Sequence, residues 1–397
     1  MICIGKRFPG CKNRTQWLDD LAPRITAPPV LASKHAAARI KPTEITSREA
    51  PRMTTFSFCD DYSEGAHPNI LSALMETNLT QQGAYGKDAY SIEAVQRIKA
   101  HLGETFQGAI HFVTGGTQAN LVSIANCLRP HEAVITANSG HIALREAGAI
   151  EATGHKLITV PSFGGKITPE RIEEALAANA QFPHMAKPRL IYLSNATETG
   201  TVYTLTELRQ ISALARQRGL ILFVDGARLP AALASHKNDV TLADIAALVD
   251  LFWIGGTKNG ALLGEAIVVC NPSFAEDFAF HLKQRGALLA KGRLLGIQFR
   301  ELFGDDLLFL SLARHANAMA AKLAAGIVAN GHRLAAPTET NQVFAILPNS
   351  IIARLQECFA FYVWEKTDPT HSMIRLVTSW ATAEDQVDAF VSRLASA

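Results

Sequence analysis

The strongest constraint on this chain is a series of short apolar runs separated by stretches that carry helix signals. Ile110 to Val113, Leu190 to Leu193, Leu220 to Val224, Leu251 to Ile254 and Ala266 to Val269 have the length of strands. Most of these runs are continuously apolar, as expected where a sheet is covered on both faces. Ser91 to Leu102 reads as an amphipathic helix, and another helix follows Thr114-Gly115-Gly116 through Leu128. Thr204-Leu205-Thr206-Glu207 is a capping box with Gly219 beyond its last turn, and Thr168-Pro169 is an N-cap before a first-turn proline. This alternation predicts an α/β fold with a mainly parallel, doubly wound sheet. After about Leu289 the pattern becomes helical through Asn330, then short strands and a final helix near Glu384 to Leu394. That shift predicts a large domain over 53–290 and a smaller C-terminal α+β domain over 291–397.

Residues 1–52 differ from the rest, with ten Lys/Arg against four Asp/Glu and little periodicity. Three readings fit: a disordered extension, a segment upstream of a start at Met53, or an organellar transit peptide. Asp19, Asp20, Glu44 and Glu49 weigh against the last, so a cytoplasmic location is expected, with a mitochondrial one as the alternative. Over the whole chain of 397 residues the net charge is +2, which makes no electrostatic case for nucleic acid or a membrane surface. There is no apolar run of the roughly 18 residues a membrane span needs. The six cysteines show neither a C-x-x-C pair nor zinc-type spacing, so no metal is expected.

Four features fall at the ends of predicted strands, where open α/β sheets place ligands. Thr114-Gly115-Gly116-Thr117-Gln118-Ala119-Asn120 offers backbone N–H groups, a hydroxyl and a helix start, which suits one phosphate or a plain turn. It lacks the G-x-G-x-x-G and Walker patterns, which disfavours a nicotinamide oxidoreductase or a nucleotide triphosphate. Asp225, directly after Leu220 to Val224, calls for a cation. Arg228 could answer it in a structural salt bridge, or a protonated pyridine nitrogen could. Lys258, in Gly255-Gly256-Thr257-Lys258, is either an exposed turn lysine or an amine whose burial frees it to attack an aldehyde. His141 can stack on a flat ring, move a proton or be structural. Each bland reading survives singly; one cofactor with a phosphate, a ring nitrogen and an aldehyde accounts for all four together.

That ordered set resembles the threonine aldolase and β-eliminating lyase family, of the pyridoxal-phosphate-dependent aspartate-aminotransferase fold (fold type I). The likeness runs from about Phe56 to Leu394. It is carried by Cys59 to Pro68, Tyr85-Gly86-Lys87-Asp88, Gly116 to Asn120, Val224 to Arg228 and Gly256-Thr257-Lys258. The nearest branch is the low-specificity L-threonine and phenylserine aldolases. The resemblance implies that Lys258 carries pyridoxal 5'-phosphate as a Schiff base, Asp225 pairs with its ring nitrogen and His141 stacks on the ring. It implies that Gly116 and Thr117 hold the phosphate, with Lys291 assisting from a neighbouring subunit. Arg228 would lie near the ring hydroxyl and the substrate, and Arg375 would grip the substrate carboxylate. Cys59 stands where many members have serine, and Tyr85 would reach the partner's site, implying a homodimer or homotetramer.

The expected reaction is cleavage of L-threonine, L-allo-threonine and related β-hydroxy-α-amino acids to glycine and an aldehyde. His141, Glu198 or an ordered water would take the β-hydroxyl proton. Glu198 stands where many threonine aldolases carry histidine. The rivals are β-elimination from another amino acid on the same cofactor, and a non-catalytic protein of the same fold.

Overall fold

The computed structural model describes residues 55–396. The readings of residues 1–52 lie outside them. In chain order the strands are β1 (Phe56–Ser57), β2 (Ala109–Val113), β3 (Glu132–Ala137), β4 (Lys156–Val160), β5 (Lys187–Ser194), β6 (Ile221–Asp225) and β7 (Leu251–Gly255). Next come β8 (Glu265–Val269), β9 (Arg333–Leu334), β10 (Gln342–Pro348), β11 (Phe359–Ala360), β12 (Tyr362–Lys366) and β13 (His371–Val377).

The central sheet has seven strands in the order β2-β8-β7-β6-β5-β3-β4. All its pairs are parallel except those of β8, which runs antiparallel to both β7 and β2. Its strands feed two apolar layers alternately. Ile191, Leu193, Leu222, Val224, Phe252 and Ile254 face one layer. Leu190, Tyr192, Ile221, Phe223, Leu251 and Trp253 face the other. A strand whose successive side chains enter two apolar layers has no polar face, so its sequence shows no alternation. The C-terminal part is an antiparallel sheet, β12-β13-β10-β9, over a third apolar cluster with the helices Leu308–Ala329 and Glu384–Ala395.

All five expected strands are present, and β3 and β4 add two that the apolar runs did not single out. The first expected helix is Ala89–Lys99, two residues earlier than its pattern, because the Asp88 carboxylate caps it by accepting from Ser91 N–H at 2.7 Å. The helical stretch after Leu289 is two helices, Arg293–Leu302 and Leu308–Ala329, separated around Gly304. Thr204 and Glu207 form the expected reciprocal capping box, and Gly219 closes that helix at φ 63°. Thr168 occupies its cap position, yet its side chain makes no cap hydrogen bond.

Candidate active site

Five strands end at the same edge of the sheet, and the residues that follow them build the site. Helix Gly116–Cys127 starts three residues after β2, with Gly115 as an N-cap that brings no side-chain hydrogen bond. The first-turn N–H groups of any helix lack partners within it, so this end presents donors and a positive dipole to an anion. Gln118 stiffens the turn by accepting from Thr114 N–H at 3.1 Å and Thr114 Oγ1 at 2.8 Å. Thr117 is exposed, whereas a Cβ on Gly116 would stand 2.9 Å from the Trp253 ring, so glycine is required there.

Asp225 closes β6 and is buried. Its carboxylate accepts from Asn120 Nδ2 and Ala227 N–H, both at 2.9 Å, and from the Tyr192 hydroxyl. These donors are all neutral. Arg228 is not its partner, so the expected alternative of an Asp225–Arg228 salt bridge does not hold. The guanidinium turns instead to Asp61, donating through Nε at 2.7 Å and Nη2 at 3.0 Å. Asn341 adds a third bond to that carboxylate at 2.9 Å. Burial alone would raise Asp61, but Arg228 and then Lys258 outweigh it and hold the carboxyl below its usual range.

Lys258 follows β7 by three residues. It is not a solvated turn lysine. Desolvation first, and the Arg228 charge second, push its ammonium below the usual lysine range; Asp61, Asp225 and Glu265 pull the other way. The Tyr62 ring lies 6.0 Å from its Nζ.

His141 begins a short helix after β3, and its ring Nδ1 lies 2.8 Å from Glu146 Oε1. That oxygen also accepts from Asn120 Nδ2 at 2.7 Å, so one amide links His141's partner to Asp225. Trp253 Nε1 fixes the amide from behind at 3.0 Å. Glu198, after β5, is half-buried with its Oε1 accepting from Ser194 Oγ at 2.6 Å and His141 N–H at 2.9 Å. Burial raises its carboxyl above the usual range despite those donors.

Arg375 lies in β13, its Nε and Nη2 bound to Gln342 Oε1 at 3.0 and 2.8 Å and its guanidinium 5.2 Å from the Trp364 ring. Desolvation first, then Arg228, lowers it to about 10. Cys59 is partly buried two residues before Asp61. Tyr85 and Lys291 are both exposed, and Tyr85 N–H bonds the carbonyl of Ala290 at 3.1 Å. They sit side by side at the surface, and among the described residues no hydrogen bond or ion pair joins either of them to Lys258.

Sequence reasoning missed Asp61, Asn120, Glu146, Tyr192, Glu265 and Gln342 as site residues. Asp61 and Asn120 lay inside the segments that carried the resemblance. Tyr192 is one residue in an apolar strand, and the others hold no motif.

The site can be tested for fit to pyridoxal phosphate by its donor set. An uncapped helix start suits a phosphate, a buried carboxylate with no salt-bridge partner among the described residues suits a protonated ring nitrogen, and a desolvated amine suits an aldehyde. The residues fit the group.

A family model described as β-eliminating lyase matches residues 60–350. A low specificity L-threonine aldolase of Pseudomonas aeruginosa is 36% identical over 84% of this chain and 95% of its own length. The enzyme of that name from a Pseudomonas species is 34% identical over 83% and 94%. A solved structure of Leishmania major threonine aldolase covers 85% of this chain and 98% of its own, at 48% identity and a TM-score of 0.83. Aspartate aminotransferase from Thermus thermophilus, 16% identical with a TM-score of 0.64 over 86% of this chain and 91% of its own, shares the fold. The chain therefore belongs to the β-eliminating lyase family, whose members and fold are pyridoxal-phosphate-dependent.

Proposed function

We propose that this protein cleaves L-threonine, L-allo-threonine and related β-hydroxy-α-amino acids to glycine and an aldehyde, using pyridoxal 5'-phosphate. One observation carries the cofactor: Asp225 is buried among neutral donors while the nearby cation, Arg228, is bound to Asp61. A buried carboxylate without a countercharge is costly, and a ring cation removes that cost. The choice of reaction is supported by relatives that carry the name L-threonine aldolase over most of their length.

Gly116, Thr117 and the helix start would hold the phosphate, Lys258 the aldehyde carbon, Asp225 the ring nitrogen and His141 the ring face. When bound, the cofactor supplies an electron-withdrawing ring that takes up negative charge developing on the amino acid. Arg375 binds the substrate carboxylate and so decides which bond at Cα stands ready to break. Gln342 limits its swing by holding Nε and Nη2. Positioning of this kind supplies several kcal/mol of a barrier. Arg228 stays beside Lys258 and keeps its amine ready to lose a proton.

Glu198 is the favoured acceptor of the β-hydroxyl proton, since burial raises its proton affinity toward the working range. The His141 backbone N–H and the Ser194 hydroxyl hold it by donating to Oε1 alone. Lys291 and Tyr85 are assigned to a neighbouring subunit's site, because within one protomer they lie exposed at the surface. Aldehyde release from L-threonine, L-allo-threonine or phenylserine by the purified, cofactor-loaded protein tests the reading; no aldehyde from any of the three refutes it.

A further inference from the structure

Glu265 opens β8 opposite Gly255, the last residue of β7, and is buried. A carboxylate at the head of a strand buried on both faces has a high desolvation cost, so its partners explain its presence. Both partners belong to the loop that carries Lys258. Glu265 Oε2 accepts from Gly256 N–H at 2.9 Å, and Oε1 accepts from Thr257 Oγ1 at 2.8 Å. Thr257 Oγ1 in turn accepts from Gly264 N–H at 3.0 Å, which closes a ring of bonds across the β7–β8 turn. The loop is also tight: a Cβ on Gly256 would stand 2.6 Å from the Gly264 carbonyl oxygen.

Three carboxylates act on the Lys258 amine, and they are engaged differently. Asp61 is neutralised by the two-pronged bond from Arg228. Asp225 is held by Asn120, Ala227 and the Tyr192 hydroxyl. Glu265 is bound by neutral donors from the two residues just before Lys258, and Lys258 is the charged group that acts on it. The Arg228 charge acts on the same amine in the opposite sense, and the Tyr62 ring lies 6.0 Å from it.

We propose that Glu265 is a positioning residue for Lys258: it locks the backbone of 256–257 and sets, through its buried charge, how firmly the Lys258 nitrogen holds its proton. The inference rests on the reading that Lys258 carries the cofactor. Burial raises the Glu265 carboxyl to about 7, so its charge develops in the neutral range rather than in acid. As that charge appears it opposes the effect of Arg228 and favours the protonated nitrogen.

The test is a pH titration of the visible absorbance of the full-length protein loaded with pyridoxal phosphate, comparing parent, Glu265→Gln and Glu265→Asp. Removing a nearby negative charge favours the unprotonated nitrogen, so Glu265→Gln is expected to lower the midpoint by about one pH unit or more. Glu265→Asp keeps the charge and should return the midpoint toward the parent. Should the Gln protein not fold, Glu265→Ser, uncharged and with room for water, must show the same downward shift. A purely structural role would lower thermal stability or cofactor occupancy and leave the midpoint in place. Uncharged variants that keep the absorbance band and the parent's midpoint overturn the proposal. A parent protein that shows no such band overturns the cofactor reading and this inference with it.

Discussion

Arg228 donates two hydrogen bonds to Asp61, 167 residues earlier in the chain, and none to Asp225, three residues before it. Asp61 is buried and Arg228 nearly so, with side-chain exposures of 1% and 12%. Removing one partner of such a pair strands the other in a dry site and costs about 3–5 kcal/mol, whereas removing both can be near neutral. Asp61→Asn should therefore lower unfolding free energy in urea by roughly that amount. The double variant Asp61→Asn/Arg228→Met should recover part of the loss. A double variant as unstable as the sum of its singles would refute the coupling.

Asp225→Asn keeps the shape and the Asn120 contact but removes the charge. Losing one side of a buried ion pair is worth about 3 kcal/mol or more, so aldehyde release should fall by roughly 100-fold or further. Cofactor retention on dialysis, read by absorbance, should fall with it. Unchanged retention and turnover would remove Asp225 from the ring nitrogen.

Lys258→Ala should abolish turnover and the covalent attachment of cofactor after borohydride reduction, read as intact mass. Circular dichroism should remain that of the parent, because burying this amine opposes the fold.

Glu265 also makes stability depend on pH. Burial lifts its carboxyl from an ordinary value of 4.5 to about 7, against the pull of Thr257, Gly256 N–H and Lys258. The folded form thus holds a proton that the unfolded chain has already released across that window. Its contribution is complete below 4.5 and is lost as pH rises through about 7. Asp61, held low in the fold, has the opposite slope and loses its contribution in acid. Urea unfolding of parent and Glu265→Gln across that range isolates the first effect. The difference between them should change steadily with pH, and a constant difference would contradict the raised carboxyl.

Arg375→Lys retains charge and loses the planar fork that carboxylates match. With Gln342 already holding Nε and Nη2, a lysine cannot reproduce the anchored geometry. KM for L-threonine should rise by about tenfold or more, as expected from the ~1.5–3 kcal/mol of a charged hydrogen bond. An unchanged KM would place the substrate carboxylate elsewhere.

Much of the fold was legible because its strands are dry on both faces. Runs such as Leu220 to Val224 carry that signal in five residues, and the lysine, the aspartate and the glycine turn lie at strand ends. The strand Glu132–Ala137 escaped because it opens on a charged residue and carries Thr136 and two alanines, which weakens the apolar signal. The site's supporting shell escaped for another reason. Glu146 matters because Asn120, 26 residues away, shares one amide between it and Asp225. Glu265 matters because β8 runs antiparallel to β7 and returns it to the lysine loop. Such partnerships depend on sheet order, which local pattern does not encode. The Arg228–Asp225 alternative was reasonable by spacing and failed because a carboxylate from the start of the described chain reaches the guanidinium.

Asp61 joins Arg228 and Asn341, and the second link closes a span of 280 residues. Loops of that size close late, since chain entropy opposes them until much of the rest is packed. Asp61, one of the charges acting on Lys258, therefore gains all its donors only after both halves of the chain have come together. During refolding, secondary structure should return ahead of the ability to capture cofactor. A ribosome that has not yet released Asn341 carries a sheet whose Asp61 still lacks its third donor.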